Sequence, residues 1–211
     1  MELNRTERVQ WLALTILGLV AGLALALPLG VPIFAVLGAM AGTPVVLAIV
    51  GLALGGAQWP IIRRHIPSSG WWVVASTLGM AAGLTLGVIV VEQIGRAMVG
   101  GPINFRVLSV AARAASFGTI GLISGALLGL AQWLVLRRSF ADCRRWIHAN
   151  ALSLAIGLAA GSLLADALVS RSGSFVSVAI LFFVGSGAAG ISTARALTAV
   201  LAKRAATRAS S

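Results

Sequence analysis

The sequence predicts an all-α, polytopic membrane protein with six transmembrane helices and both termini in the cytoplasm. Three observations lead there: few charged residues, long uncharged stretches and a one-sided distribution of basic residues. Of the 211 residues, 59% are hydrophobic and 10% are charged, whereas charged residues form about a quarter of a typical soluble domain. This composition excludes a soluble enzyme and a disordered tail. Because Cys143 is the only cysteine, it also excludes a disulfide scaffold.

The uncharged stretches define the helices. No charged residue lies between Arg8 and Arg63, and this window is long enough for two crossings of about 20 residues each. Shorter windows further along the chain each fit one crossing. A backbone in lipid must satisfy its own hydrogen bonds, and continuous apolar runs favour helices over a barrel. The predicted helices are 9–28, 44–62, 71–94, 115–136, 146–168 and 175–199.

The basic residues orient these helices. The net charge of +11 comes from 16 Lys and Arg against 5 Asp and Glu, which in a soluble chain would suggest nucleic acid. Most of the basic residues instead fall in the N-terminus, the second and fourth loops and the C-terminal tail. By the positive-inside rule these segments are cytoplasmic. We therefore expect a lipid bilayer with anionic lipids at its cytoplasmic face as the partner, and no nucleic acid.

All six tryptophans fall at the cytoplasmic ends of the predicted helices. They are Trp11, Trp59, Trp71, Trp72, Trp133 and Trp146. Tryptophan rings concentrate at membrane–water interfaces. The pattern predicts an aromatic belt on one side of the membrane.

A tandem repeat organises the single predicted domain, 1–211. A shift of 74 residues aligns Ile49–Gly87 with Ile123–Gly161 without a gap, and 16 of the 39 positions are identical. The unit is helix, Arg-Arg loop, helix, with copies at 31–94 and 105–168. The outer helices, 9–28 and 175–199, are interpreted as a split, diverged third copy. This favours retention of the first helix over its removal as a signal peptide.

The copies are expected to pack as a compact pseudo-threefold bundle, or as an arc around a partner. Two further segments, 31–43 and 105–117, correspond under the same shift. Each is either a short helix at the outer interface or part of a longer, tilted helix, with a kink at Pro44 in the first case.

The run from Gly129 to Arg138, followed by Trp146, carries the pattern Gln-Trp-x-x-x-Arg-Arg. It resembles a repeated hairpin of uncharacterised bacterial integral membrane proteins, particularly of the cyanobacterial type. The resemblance covers the two hairpins, and the first departs from it with Pro60 in place of Leu134. It implies a location in the bacterial cytoplasmic (inner) membrane. It supplies no reaction and no catalytic residue.

Polar residues near the arginine pairs are candidates for contacts with lipid or with a partner. They are Gln58, Arg63, Arg64, Gln132, Arg137 and Arg138. An amide at this depth either links two helices or contacts a lipid or cofactor. The arginines either set the topology or bind anionic head groups.

Glu92 and Asp166 are the only acids within the predicted helices. Acids inside a membrane are candidates for an ion path. Both lie near the outer helix ends, and Arg96 follows Glu92 at the favourable i,i+4 spacing, so a paired anchor is the alternative. His65, His148 and Cys143 lack partners at metal-ligand or nucleophile spacing. No metal or nucleotide cofactor is expected, and a bound lipid or pigment is the cofactor considered.

Glycines recur every four residues in the predicted helices. Small-xxx-small spacing lets helix backbones approach closely, either inside the bundle or against another subunit. The predicted packing positions are Gly18, Gly22, Gly79, Gly83, Gly87, Gly121, Gly125, Gly129, Gly157 and Gly161.

No catalytic motif appears in the sequence, and the loops are too short for a soluble catalytic domain. The first hypothesis is a non-enzymatic accessory or scaffold subunit that packs through glycine-rich faces in a larger photosynthetic or respiratory membrane complex. The alternative is a small transporter or channel that uses Glu92 and Asp166.

Overall fold

The computed structural model describes residues 4–66, 69–102, 104–105, 107–140, 143–168 and 175–209. Within these ranges the chain forms five helices and is all-α, as predicted. They are α1 (Arg5–His65), α2 (Gly70–Val99), α3 (Val110–Leu136), α4 (Arg145–Leu168) and α5 (Phe175–Ala209).

Helix α1 is folded back on itself at Gly38. This residue has φ 70° and ψ 173°, a conformation that glycine adopts without steric cost. A first arm, 5–37, therefore runs antiparallel to a second arm, 39–65. Their close approach is direct, because a Cβ at Gly18 would lie only 2.9 Å from Leu54 Cα.

The two ends of α1 meet through Glu7. Its backbone N–H donates to Asn4 Oδ1 at 2.8 Å, while its carboxylate accepts from the Asn4 N–H at 3.2 Å. This capping box satisfies two N–H groups that a helix N-terminus leaves unpaired. The same carboxylate lies 4.0 Å from the Arg64 guanidinium and 3.7 Å from the His65 imidazole. We call this end of the bundle the basic end, and the end containing Gly38 the turn end.

Several helix boundaries differ from the prediction, and three of them change the architecture or the helix lengths most. The first arm continues past residue 28 to the reversal at Gly38, so 31–43 is neither a separate interfacial helix nor a helix kinked at Pro44. Prolines at 28, 32 and 44 flank the reversal, and each lacks the N–H that a continuous helix would use. Helix α3 begins at Val110, so part of 105–117 lengthens that helix. Helix α5 continues ten residues beyond the predicted 199.

The helical segments close into a ring. Each segment contacts the next along the chain, and α5 returns to α1. The closing contact involves the first arm, because a Cβ at Gly190 would lie 3.4 Å from Leu12 Cα and from Thr15 Cβ. The ring has a central axis lined by every segment.

The core has two parts along this axis. At the basic end, a cluster of isoleucines and leucines surrounds Trp11, Trp72 and Trp146. Towards the turn end, a purely aliphatic and methionine cluster includes Leu19, Met80 and Leu154, with Phe105 and Phe117 packed against it.

In the described part of the chain, four helices are long and apolar enough to cross a membrane: Arg5–His65, Gly70–Met98, Val110–Leu136 and Arg145–Ala165. Large apolar side chains such as Leu17, Leu78 and Ile156 point outward and are more than half exposed. An apolar outer surface is unusual for a soluble protein and fits a membrane environment.

Candidate functional site

The axis at the basic end is closed by three tryptophans. Trp11, Trp72 and Trp146 come from the first arm, α2 and α4, and all three are fully buried. Their ring centres lie 6.1, 6.1 and 5.5 Å apart in edge-to-face arrangements, the geometry that aromatic quadrupoles favour. The predicted one-sided belt is therefore incorrect for these three residues. We call them the inner tryptophans.

Each inner tryptophan donates its indole N–H to a polar side chain on the segment before it around the ring. Trp72 donates to Gln58 Oε1 at 3.1 Å, and Trp146 donates to Gln132 Oε1 at 3.0 Å. The third bond is made by Trp11, which donates to Thr193 Oγ1 at 2.9 Å. A buried indole N–H without an acceptor would be costly, so these bonds fix the rings in place.

The two glutamines also bridge to a third segment. Gln58 Nε2 donates to Thr15 Oγ1 at 3.0 Å, and Gln132 Nε2 donates to Ser76 Oγ at 2.9 Å. Both glutamines are buried, so neither lies on the lipid-facing surface. The amides link helices through the axis.

The Trp11–Thr193 pair lacks the bridge that the glutamines make in the other two pairs. Thr193 is too short to bridge as the glutamines do, and Asn150, which lies on α4 where Ser76 lies on α2, donates to the Trp146 carbonyl at 3.0 Å. Both residues border a cavity of about 10 Å³ on the axis, together with Gln58 and Gln132. This is about the size of one water molecule. The site has no room for an organic substrate.

Four residues of this network were not predicted from the sequence: Thr15, Ser76, Asn150 and Thr193. The repeat contained the signal. Thr15 lies 61 residues before Ser76, the same separation as between Trp11 and Trp72, and Asn150 lies 74 residues after it, the shift that aligns the two hairpins. Applying the shifts to these small polar residues, as well as to the glutamines and tryptophans, would have placed them at one level.

The predicted glycines face neighbouring segments of the same chain. A Cβ at Gly83 would lie 2.9 Å from Ser124 Cα, and one at Gly129 would lie 2.9 Å from Ile147 Cα. The contacts proceed around the ring. Gly18 and Gly22 face the second arm, Gly79, Gly83 and Gly87 face α3, Gly121, Gly125 and Gly129 face α4, and Gly157 faces α5. Gly161 is buried on α4.

The predicted arginines lie at the rim of the basic end. Arg63, Arg137 and Arg138 are exposed and lie over tryptophan rings, and Arg64 lies beside Glu7. These rings belong to the three other tryptophans, Trp59, Trp71 and Trp133, which we call the outer tryptophans.

The other candidate residues do not lie together at one site. Glu92 accepts from Arg96 Nε at 3.1 Å, one turn along α2, and borders neither cavity described on the axis. Asp166 lies on α4, but its side chain is outside the described part. His148 is exposed, and Cys143 is buried beside the inner tryptophans. Among the described residues, no group of three His, Cys, Asp or Glu could hold a metal ion.

The axial network contains indoles, amides and hydroxyls. Such groups hold helices together by hydrogen bonding, but they do not ionise near neutral pH. No protein-family model, curated protein or solved structure matches the chain.

Proposed function

We propose that the chain is a non-enzymatic integral membrane protein that serves as an accessory or scaffold subunit of a larger bacterial membrane complex, with photosynthetic and respiratory complexes as the candidates. In this proposal six helical segments cross the cytoplasmic membrane, counting the two arms of α1 separately. The basic end faces the cytoplasm. The one-sided basic residues and the resemblance of the hairpins to bacterial membrane proteins support this location.

Side chains pack the axis of the ring, and this packing supports a function at the outer surface of the ring. The inner tryptophans close the axis at the basic end, and two cavities that described residues line along it measure about 10 and 20 Å³. The glycine faces contact neighbouring segments. A partner would therefore contact the outward faces, and not the glycine rows.

The proposal depends on exposed methionines at the turn end. Gly38 precedes Arg63 by 25 residues, or about 37 Å along a helix, while the hydrocarbon core of a bilayer is about 30 Å thick. With Arg63 among the inner head groups, the reversal lies at the outer boundary of the hydrocarbon. Yet Met40 there is 95% exposed, and Met98 at the end of α2 is 80% exposed. Exposed apolar side chains at a polar boundary are typical of a contact surface.

The transporter alternative has weaker support. Glu92 is paired with Arg96 on the outside of α2, away from the axis. An ion path would need polar groups that continue through the bundle, whereas the cavity towards the turn end is lined by Leu, Met and Gly residues with the hydroxyl of Ser124 beside them.

Purification in mild detergent from the native membrane tests the proposal. We expect the chain to co-migrate with a stoichiometric complex. Met40→Ser with Met98→Ser should weaken this co-migration, because both side chains lie on the proposed contact surface. Leu78→Ser is the matched control, since Leu78 is outward-facing on α2 but lies within the hydrocarbon region. A lone, monodisperse protein with ion flux that depends on Glu92 and Asp166 would overturn the proposal in favour of a transporter.

Reporter fusions test the orientation separately. Fusions at the C-terminus and after Arg64 should report the cytoplasm, and a fusion near Gly38 should report the outer side. A periplasmic C-terminus would exclude the six-crossing arrangement.

A further inference from the structure

Three arginine–tryptophan stacks lie at the basic end. Two of them join residues one helical turn apart, Arg63 with Trp59 at 4.8 Å and Arg137 with Trp133 at 5.1 Å from guanidinium carbon to ring centre. The third connects the end of α3 with α2, because Arg138, two residues after α3, lies 5.9 Å from the ring of Trp71 at the start of α2. Each distance is within the range of a cation–π interaction.

The three stacks form one continuous surface. Trp59 donates its indole N–H to Ser69 Oγ at 3.1 Å, and Ser69 lies two residues before Trp71. The surface therefore runs from the second arm across α2 to α3. We call it the Trp–Arg belt, and it consists of Trp59, Arg63, Trp71, Trp133, Arg137 and Arg138.

Stacking leaves the hydrogen-bonding edge of a guanidinium available. Its five N–H donors lie in the plane of the group, while the ring contacts its face. Two parallel N–H groups match two oxygens of a phosphate. The belt itself contains no acid, and the nearby carboxylate of Glu7 is engaged with Asn4 and the end of α1. The charge and geometry suit an anionic phosphodiester.

We propose that the Trp–Arg belt binds the phosphate groups of anionic phospholipids in the inner leaflet. This rests on the proposed cytoplasmic orientation of the basic end. Tryptophan rings hold the arginines at the depth of the head groups, where each basic residue attracts anionic lipid. The belt covers only one sector of the ring, so bound anionic lipid gathers beside the second arm, α2 and α3.

The chain offers a matched control at the same end. Arg144 directly precedes α4 and Arg145 is its first residue, and both are exposed. Arg145 occupies the position in the second hairpin that Trp71 occupies in the first. In the described residues, neither arginine is stacked on a tryptophan. Each carries the same charge as a belt arginine and lies at the same membrane face, but outside the belt.

The experiment is native mass spectrometry of the full chain released from micelles that contain equal amounts of phosphatidylglycerol and phosphatidylcholine. The wild-type chain should retain phosphatidylglycerol preferentially. Arg138→Gln removes a guanidinium that would pair with a phosphate through charge-assisted hydrogen bonds, and it should lower this preference roughly tenfold. Trp71→Ala should lower it two- to fivefold without changing the charge, and Trp71→Phe should largely preserve it. Arg144→Gln with Arg145→Gln should leave it within about a factor of two.

Two results would overturn the proposal. If Arg144→Gln with Arg145→Gln lowered the phosphatidylglycerol preference as much as Arg138→Gln, net charge alone would account for the attraction of the lipid. Unchanged preference in Trp71→Ala, with a monodisperse and folded protein, would show that stacking has no part in binding. The assay contains no partner protein, so its failure leaves the accessory-subunit proposal intact. Loss of co-migration in the purification experiment would likewise leave the lipid result unaffected.

Discussion

Trp71 and Trp72 are neighbours in the first turn of α2, yet they lie in opposite environments. Trp72 is fully buried on the axis and donates to Gln58. Trp71 is 57% exposed at the rim and carries Arg138 on its face. The other two inner tryptophans are likewise fully buried. The outer tryptophans Trp59 and Trp133 lie between the two extremes, since Trp59 is 37% exposed and Trp133 is partly buried against the inner cluster.

The difference shows that depth along a helix and burial are independent. Successive residues of an α-helix are rotated by about 100°, so two rings at one level can face the axis and the lipid. All three inner tryptophans use the indole N–H to join helices. The outer tryptophans hold arginines on their ring faces, and Trp59 also donates its N–H to Ser69. One residue type therefore both closes the core and anchors the surface.

The largest expected effect separates this neighbouring pair. Trp72→Ala should lower the free energy of unfolding by about 3–5 kcal/mol, because it creates a cavity in the tryptophan cluster and leaves Gln58 without its donor. Trp71→Ala should cost less than about 1 kcal/mol, since it removes only a rim contact. Unfolding in mixed micelles by titration with sodium dodecyl sulfate, followed by circular dichroism, measures both. Similar losses in the two variants would contradict the division.

Two glycines allow the same comparison between a position that faces a neighbouring helix and one that faces outward. Gly125→Ala should cost about 1–3 kcal/mol, because the new Cβ would meet the backbone of Asn150 and Ala151 on α4. Gly56→Ala meets nothing within 4 Å, and should be neutral or stabilising by up to about 1 kcal/mol, since alanine favours a helix. The same unfolding assay measures both changes. A destabilised Gly56→Ala would show that the outward face is also packed.

The smallest effect tests the hydrogen bond itself. A double-mutant cycle of Gln132→Leu and Trp146→Phe should give a coupling of about 0.6 kcal/mol, with about 1.7 kcal/mol as an upper value for such bonds in membranes. Gln10→Leu, at an exposed position of α1, should show no coupling to Trp146→Phe. If the effects of Gln132→Leu and Trp146→Phe on the free energy of unfolding were additive, the hydrogen bond would orient the side chains without stabilising the fold.

Some features could be predicted from the sequence because they depend on spacing alone. Small-xxx-small spacing located the glycine rows that the structure places between segments. The repeat put Gln58 and Gln132 at one level and Trp72 and Trp146 fourteen residues after them. It predicted equivalent positions, but not that these residues would bond to one another.

The burial of individual tryptophans could not be predicted, for a physical reason. A helix facing lipid is apolar on every side, so its hydrophobic pattern has no polar face from which to tell inside from outside. A reversal between 9–28 and 44–62 was predicted, but its position at Gly38 was not, for a related reason. The stretch around it is uniformly apolar, and the backbone conformation of one glycine leaves no trace in hydropathy.

The bond from Trp11 to Thr193 joins residues 182 positions apart. At about 5–20 residues per second, a ribosome needs about 10–40 s to make the second residue after the first. During this interval the first arm is already synthesised, but the acceptor of its indole N–H does not yet exist. The nascent bundle is an open arc with an incomplete seam, and α5 closes it last. Biosynthesis thus provides a period in which another membrane protein or a chaperone can occupy the seam.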